Sequence, residues 1–230
     1  MSGEGETMAS DTQYSAVHLM AEAKVDAAKW NRIPFAKDVE ETVKAVQGRG
    51  IQVMLAENGA RALLILQSLI PPGSEVMNGS STTLIEIGYE DLLKSGKAGW
   101  KDFHAVITAE NDKAKRDELR RKSVATDYFI SSANAIAMTG ELVACDKTGS
   151  RVGAWPYAAG HPIIISGVNK IVPSLDDALR RIREYVYPLE NVRSSKAYGV
   201  PSRIGKCVIL ANEDTPGRTT LILVKEVLGY

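Results

Sequence analysis

Hydrophobic positions recur along this chain with two spacings. Tyr14, Val17, Ala21, Val25 and Ala28 step by three and four, which predicts a first helix closed by Pro34. Val39, Val43 and Val46 predict a second helix that stops near Gly48 and Gly50. IQVMLAE (51–57) then reads as a strand, ARALLILQSLI (60–70) as a helix too apolar to be exposed, and Pro71-Pro72-Gly73 as the break before another short strand. FHAVITAE (103–110), DYFISSAN (127–134) and HPIIISGVN (161–169) read as buried strands. After them comes a helix whose start is marked by Ser174 and Asp177 in capping-box spacing, with Leu175, Ala178, Leu179, Ile182 and Val186 as its stripe. Strands alternating with helices predict an α/β fold, an α/β/α sandwich with a mainly parallel sheet.

GELVACDKTGSRVGAW (140–155) interrupts that rhythm. Its alternating apolar residues meet Asp-Lys-Thr-Gly, a turn signal with Gly149 suited to positive φ, so an inserted β-hairpin is expected at the edge of the sheet or over its face. No repeat, low-complexity block or linker precedes residue 190, which predicts a single domain over residues 14–230 behind an unstructured tail of residues 1–13. The first fifteen residues lack the apolar core of a signal peptide and the arginines of a mitochondrial presequence, so a cytosolic protein is expected.

Composition narrows the partners. With 28 basic and 28 acidic side chains the formal charge is zero, so no global field favours nucleic acid or an anionic membrane, and any anion site must be local. In the basic segment NDKAKRDELRRKS (111–123), Asp112, Asp117 and Glu118 stand four residues before Arg116, Arg121 and Lys122, the order of a solvated helix face. No apolar run reaches the length a membrane helix needs. Cys145 and Cys207 lie far apart in sequence with no Cys or His at ligand spacing, so no metal is expected. His18 and His104 have no Ser or carboxylate partner in local reach, so no hydrolase triad can be argued.

The candidate chemistry sits where strands end. In NGSSTTLIEIG (78–88), Asn78 and Gly79 lead into Ser80, Ser81, Thr82 and Thr83 at a strand-to-helix connection. There, backbone N–H groups and hydroxyls suit phosphate or carboxylate oxygens, and Gly79 allows close approach. Thr83 and Glu86 also have the spacing of a capping box, which explains Glu86 better than catalysis does, whereas four consecutive hydroxyls exceed what capping needs. SSANAIAMTG (131–140) puts Ser131, Ser132 and Asn134 at a second strand end, where Asn134 serves either a ligand or a turn, and Thr139-Gly140 is a turn. Asp146 fits Asx-turn duty better than a ligand-facing acid. SGVNKI (166–171) adds Asn169 and Lys170, a lysine that either neutralises an anion held by the first loop or lies exposed. Arg151 and His161 are weaker candidates of the same kind.

NGSSTTLIEIG, SSANAIAMTGELVACDKTGSRVGA and SGVNKIVPSLDDALRRIRE stand in the order and spacing of the lactate-utilization domain family (LUD, or YkgG-type), which the chain resembles over about residues 14 to 190. The resemblance implies a fold like that of ribose-5-phosphate isomerase, the CoA transferases and 5-formyltetrahydrofolate cyclo-ligase, with phosphorylated or carboxylated ligands. It implies a role in oxidising L-lactate to pyruvate, alongside iron–sulfur or oxidoreductase partner subunits. Similar proteins often end in a cysteine-rich stretch, whereas the tail here keeps only Cys207. The expected function is therefore binding of a small anionic metabolite as an accessory subunit, with no cofactor named by the residues. One alternative is a stand-alone acyl-CoA transferase or phosphosugar isomerase using Glu86, Glu141 or Asp146 as its carboxylate. A second is a scaffold with no ligand pocket.

Overall fold

The computed structural model describes residues 16–230; the tail expected over residues 1–13, and Tyr14, lie outside the described residues. In chain order the strands are β1 (Gln52–Ala56), β2 (Glu75–Asn78), β3 (Lys101–Asp102), β4 (Tyr128–Ser131), β5 (Ala135–Ala137), β6 (Leu142–Asp146), β7 (His161–Gly167), β8 (Ile171–Val172), β9 (Lys206–Leu210) and β10 (Thr220–Val224). The helices are α1 (Ala16–Ala23), α2 (Ala27–Trp30), α3 (Ala36–Gly48), α4 (Gly59–Leu69), α5 (Thr82–Glu86), α6 (Tyr89–Lys94), α7 (Phe103–Ala109), α8 (Lys113–Lys122), α9 (Ser150–Gly153), α10 (Leu175–Arg181) and α11 (Tyr187–Tyr198).

Six strands pair entirely in parallel in the order β1-β10-β7-β4-β2-β3. Successive side chains of a strand face opposite ways. Ile163, Ile165, Ile222 and Val224 pack with Ala62, Ile65 and Leu66 of α4 on one face, while Ile164, Leu221 and Leu223 pack with Val46 of α3 and Trp155 on the other. Burial on both faces is what the continuous Ile163–Ile165 run demands. The result is the expected α/β class, a parallel sheet flanked by helices. A second sheet, β8-β5-β6-β9, lies over the α3 face. Its Ile136, Leu142 and Ala144 join the main-sheet core, and its Ala135, Val143 and Val172 pack on the other side against Leu19, Ala178, Ile182 and Tyr185.

Three elements differ from the sequence reading. The first helix breaks: α1 ends at Ala23, Lys24 takes a φ of 52°, and Asp26 caps α2 by accepting from Lys29 N at 2.9 Å. Ala16, Leu19 and Trp30 are the buried positions, while Val17 is 70% exposed. FHAVITAE is helix α7, not strand, because Asp102 caps it by accepting from His104 N at 2.9 Å. Ile107 alone in it is buried and Val106 is 51% exposed, a one-sided pattern that a buried strand would not show. The hairpin exists, as antiparallel β5 and β6, but it turns at 138–141 rather than at Asp146–Gly149. After β6 the chain enters α9, with Gly149 at φ 105° in front of it.

The basic segment forms α8, which has no buried residue and keeps the Glu118–Lys122 pair at 2.8 Å. Asp112 caps it by accepting from Lys115 N rather than pairing with Arg116, and Asp117 reaches Arg120 rather than Arg121. Among the described residues, no helix is long and apolar enough to cross a membrane.

Gly140 turns the β5–β6 hairpin with a φ of 101°, and a Cβ there would stand 2.7 Å from the backbone carbonyl of Ala45 in α3. Gly140→Ala is expected to destabilise the protein by about 1–3 kcal/mol, because the strained backbone and the contact are both rigid. Urea unfolding checks this, and an unchanged midpoint would show that the hairpin is not clamped to α3.

Candidate functional site

β2, β4, β7 and β10 are contiguous in the parallel sheet, so the segments leaving their carboxyl ends share one edge. β2 leads through 79–81 into α5, β4 through 132–134 into β5, β7 through a tight turn at Val168–Lys170 into β8, and β10 into residues 225–230. Gly79–Thr83, Ser132–Asn134, Lys170 and Tyr230 wall a cavity of about 450 Å³. The loop between β6 and α9 and the helical stretch from Ile182 to Tyr198 complete it. A wide helical turn at Ile182–Val186 joins α10 to α11 and contributes Ile182 and Val186 to the wall.

Lys170 is buried in that wall, not exposed. Its Nζ donates to Ser132 Oγ at 2.7 Å, Thr83 Oγ1 at 2.8 Å and Ala133 O at 3.1 Å. Among the described residues it has no carboxylate within ion-pair distance. Burial, and then the charges of Arg181 and Arg151, hold its pKa well below the ordinary lysine value. The expected Thr83–Glu86 capping box is not formed. Ser81 caps α5 by accepting from Leu84 N at 3.4 Å, and Glu86 accepts from Gly229 N at 2.6 Å, holding the segment after β10. At five residues α5 is too short to develop much of a dipole, so attraction for an anion must come from side chains. A Cβ at Gly79 would make only ordinary contacts, 3.8 Å at the nearest, so close approach is not what this glycine serves.

Two arginines flank the lysine. Arg151 donates to Asp146 Oδ1 at 2.9 Å, Ser132 O at 2.7 Å, Asn134 Oδ1 at 2.9 Å and Cys145 O at 2.6 Å. Asp146 also accepts from Val152 N at 3.0 Å, so its carboxylate orients Arg151 and caps α9. Arg181 is fully buried: Nε donates to Trp30 O at 3.1 Å, Nη1 donates to Asn134 O, and Nη2 has no hydrogen-bond partner among the described residues. Burial lowers its pKa to about 10. Asn134 thus accepts from both guanidinium groups and from Cys145 N at 2.8 Å, and its amide nitrogen has no partner among the described residues.

The cavity is locally cationic although the chain as a whole is neutral. Two of its arginines are neutralised, Arg151 by Asp146 and Arg193 by Glu190, the latter through bonds of 2.7 and 2.8 Å. Lys170, Lys147 and Arg203 also line it, and none has a carboxylate partner among the described residues.

Gly79, Ser80, Ser81, Thr82, Thr83, Ser132, Asn134, Asp146 and Lys170 are therefore brought together, with Arg151. Other candidates are not. Asn169 turns the opposite way from its neighbour, donating to Asn31 Oδ1 at 2.7 Å and accepting from Leu228 N at 3.1 Å. Asn78 ends β2 outside the wall. Ser131 lies in the core, accepting from Trp155 Nε1 at 2.7 Å. Glu141 is bound to Arg49 and Thr139 on the hairpin. His161 starts β7, at the opposite edge of the sheet, and stacks on Tyr128 with centroids 5.0 Å apart. The sequence reading missed Arg181 and Arg193. Arg181 was within reach, since it falls three residues after Ala178 and four before Tyr185, on the buried stripe. Among the described residues, no group of three or more His, Cys, Asp or Glu is placed to hold a metal.

The model of the LUD domain family matches residues 39–224. No curated protein matches the chain. Among solved structures it is similar to the crystal structure of a DUF162 family protein from Deinococcus radiodurans, at 11% identity and a TM-score of 0.48, over 83% of this chain and 99% of that one.

A lysine whose pKa falls on folding binds fewer protons folded than unfolded between the two values, so stability rises with pH across that window. The penalty is absent above the unfolded value of about 10.4 and complete below the folded one. Wild-type protein should therefore gain melting temperature relative to Lys170→Met as pH rises from about 7 to about 10. A gap independent of pH would return Lys170 to an ordinary lysine.

Proposed function

Because the chain belongs to the LUD domain family, we propose that its cavity binds a small anionic metabolite, with Lys170 as the principal charge partner. The observation that carries this reading is a buried amine held by neutral oxygens, with no carboxylate within ion-pair distance among the described residues. An ammonium ion in that position is costly unless an anion joins it. Burial thus disfavours the ammonium form, and a ligand carboxylate or phosphate would favour it. Arg151 and the hydroxyls of Ser80–Thr83 supply further donors, and the Asn134 amide nitrogen supplies another.

A cavity of about 450 Å³ lies within the range of metabolite and cofactor sites and exceeds what a lactate anion needs. Its lining also includes Ile182, Val186, Tyr187 and Tyr198, which suit a larger apolar or aromatic portion. The family connection to L-lactate utilization then points to an accessory subunit that presents an anionic metabolite to an oxidoreductase partner. A transferase or isomerase working through Glu86, Glu141 or Asp146 has little support. The first two do not line the cavity, and the third is committed to Arg151.

Calorimetric titration with inorganic phosphate, L-lactate and coenzyme A tests the reading. At least one should bind, and Lys170→Met should weaken that binding tenfold or more, since a charge-assisted hydrogen bond contributes about 1.5–3 kcal/mol. Affinity should fall as pH rises, because binding requires the protonated amine. Failure of all three to bind, or equal affinity in the variant, would contradict the proposal.

A further inference from the structure

Cys145 and Cys207 are remote in sequence, yet the second sheet sets them opposite each other as partners in antiparallel β6 and β9. Cys145 sends its N–H to Asn134 Oδ1 and receives Arg151 Nη2 at its carbonyl, both away from β9. The cysteines therefore form a pair without hydrogen bonds between their own backbones. In such a pair the Cα atoms stand about 4.5 Å apart, inside the roughly 4.4–6.8 Å range of disulfides. Both thiols are free, and Cys207 is near enough to raise the Cys145 pKa. Cys207 is exposed, and Cys145 is half-buried and lines the cavity.

We propose that Cys145 and Cys207 are an oxidant-reactive dithiol at the cavity wall, which a low-molecular-weight disulfide converts into a cross-strand disulfide. In the first step the exposed Cys207, as thiolate, attacks one sulfur of the small disulfide. The reagent's S–S bond breaks, one small thiolate leaves, and a mixed disulfide remains on Cys207. In the second, Cys145 loses its proton to solvent and attacks the Cys207 sulfur, expelling the other small thiolate. Two protein thiols are oxidised to one disulfide, and one small disulfide is reduced to two thiols that take up the two protons.

Burial, then the neighbouring Cys207, pushes the Cys145 thiol up to about 12, so the second step is slow at neutral pH and faster in alkali. The cross-link would fasten β6 to β9 at the residue whose backbone holds both Asn134 and Arg151. Oxidation would thus reach two side chains of the cavity directly. None of this depends on which anion the cavity takes, and the test reads covalent state rather than binding.

The full chain is incubated, folded, with oxidised glutathione at mildly alkaline pH, quenched in acid and read by intact mass and non-reducing peptide mapping. The expected product has lost two hydrogen masses and joins the Cys145 and Cys207 peptides. Cys145→Ser should stop at a stable glutathione adduct on Cys207, and Cys207→Ser should give no cross-link. Wild-type protein that ends as a stable Cys207 adduct with Cys145 free, or with both thiols unreacted, would overturn the proposal.

Discussion

A buried lysine with no carboxylate within ion-pair distance among the described residues governs the rest of this site. Lys170 and Arg181 are both enclosed by protein, and Lys170 and Arg151 line the cavity. Removing such charges from water costs several kcal/mol each even after relaxation. What offsets that cost here is a set of neutral oxygens: Thr83, Ser132 and Ala133 around the lysine, Trp30 and Asn134 around Arg181. Those oxygens come from different strand ends and one distant helix. The contiguous order of β2, β4 and β7 is what brings the lysine's partners within 3.1 Å. The fold and the chemistry are therefore linked through the parallel register.

Asn134 shows how tightly the parts are joined. A single side-chain oxygen receives the Cys145 backbone and Arg151, while the backbone oxygen of the same residue receives Arg181. The second sheet is positioned by these bonds as well as by its apolar packing. Asp146, a candidate acid from sequence, proves to be the group that aims Arg151. The surplus of positive charge is thus local and built, which a chain of zero formal charge does not reveal.

Most of the sheet was legible because its strands are buried on both faces and read as apolar runs, and the start of α10 because Ser174 does cap it, accepting from Asp177 N and donating to the Asp177 carboxylate. FHAVITAE was not, since an apolar run of that length fits either period and only the Asp102 cap decides it. The location of the site followed from strand-end logic, which placed the Ser80–Thr83 loop, Asn134 and Lys170 on one edge. Orientation did not follow. Asn169 and Lys170 are adjacent, and the tight turn that carries them sends one to the segment after β10 and the other to the cavity. Pairings made by distant strands, such as Cys145 with Cys207, have no local signal at all.

The proposed site depends on Lys170 being an amine whose ammonium form burial disfavours and an arriving anion favours. Nuclear magnetic resonance of the Lys170 side chain, labelled and followed through a pH titration with and without inorganic phosphate, measures this directly. The account predicts a midpoint well below the ordinary lysine value of about 10.4 in the free protein, moving upward when phosphate is present. A midpoint near the ordinary value, unmoved by phosphate, would contradict it.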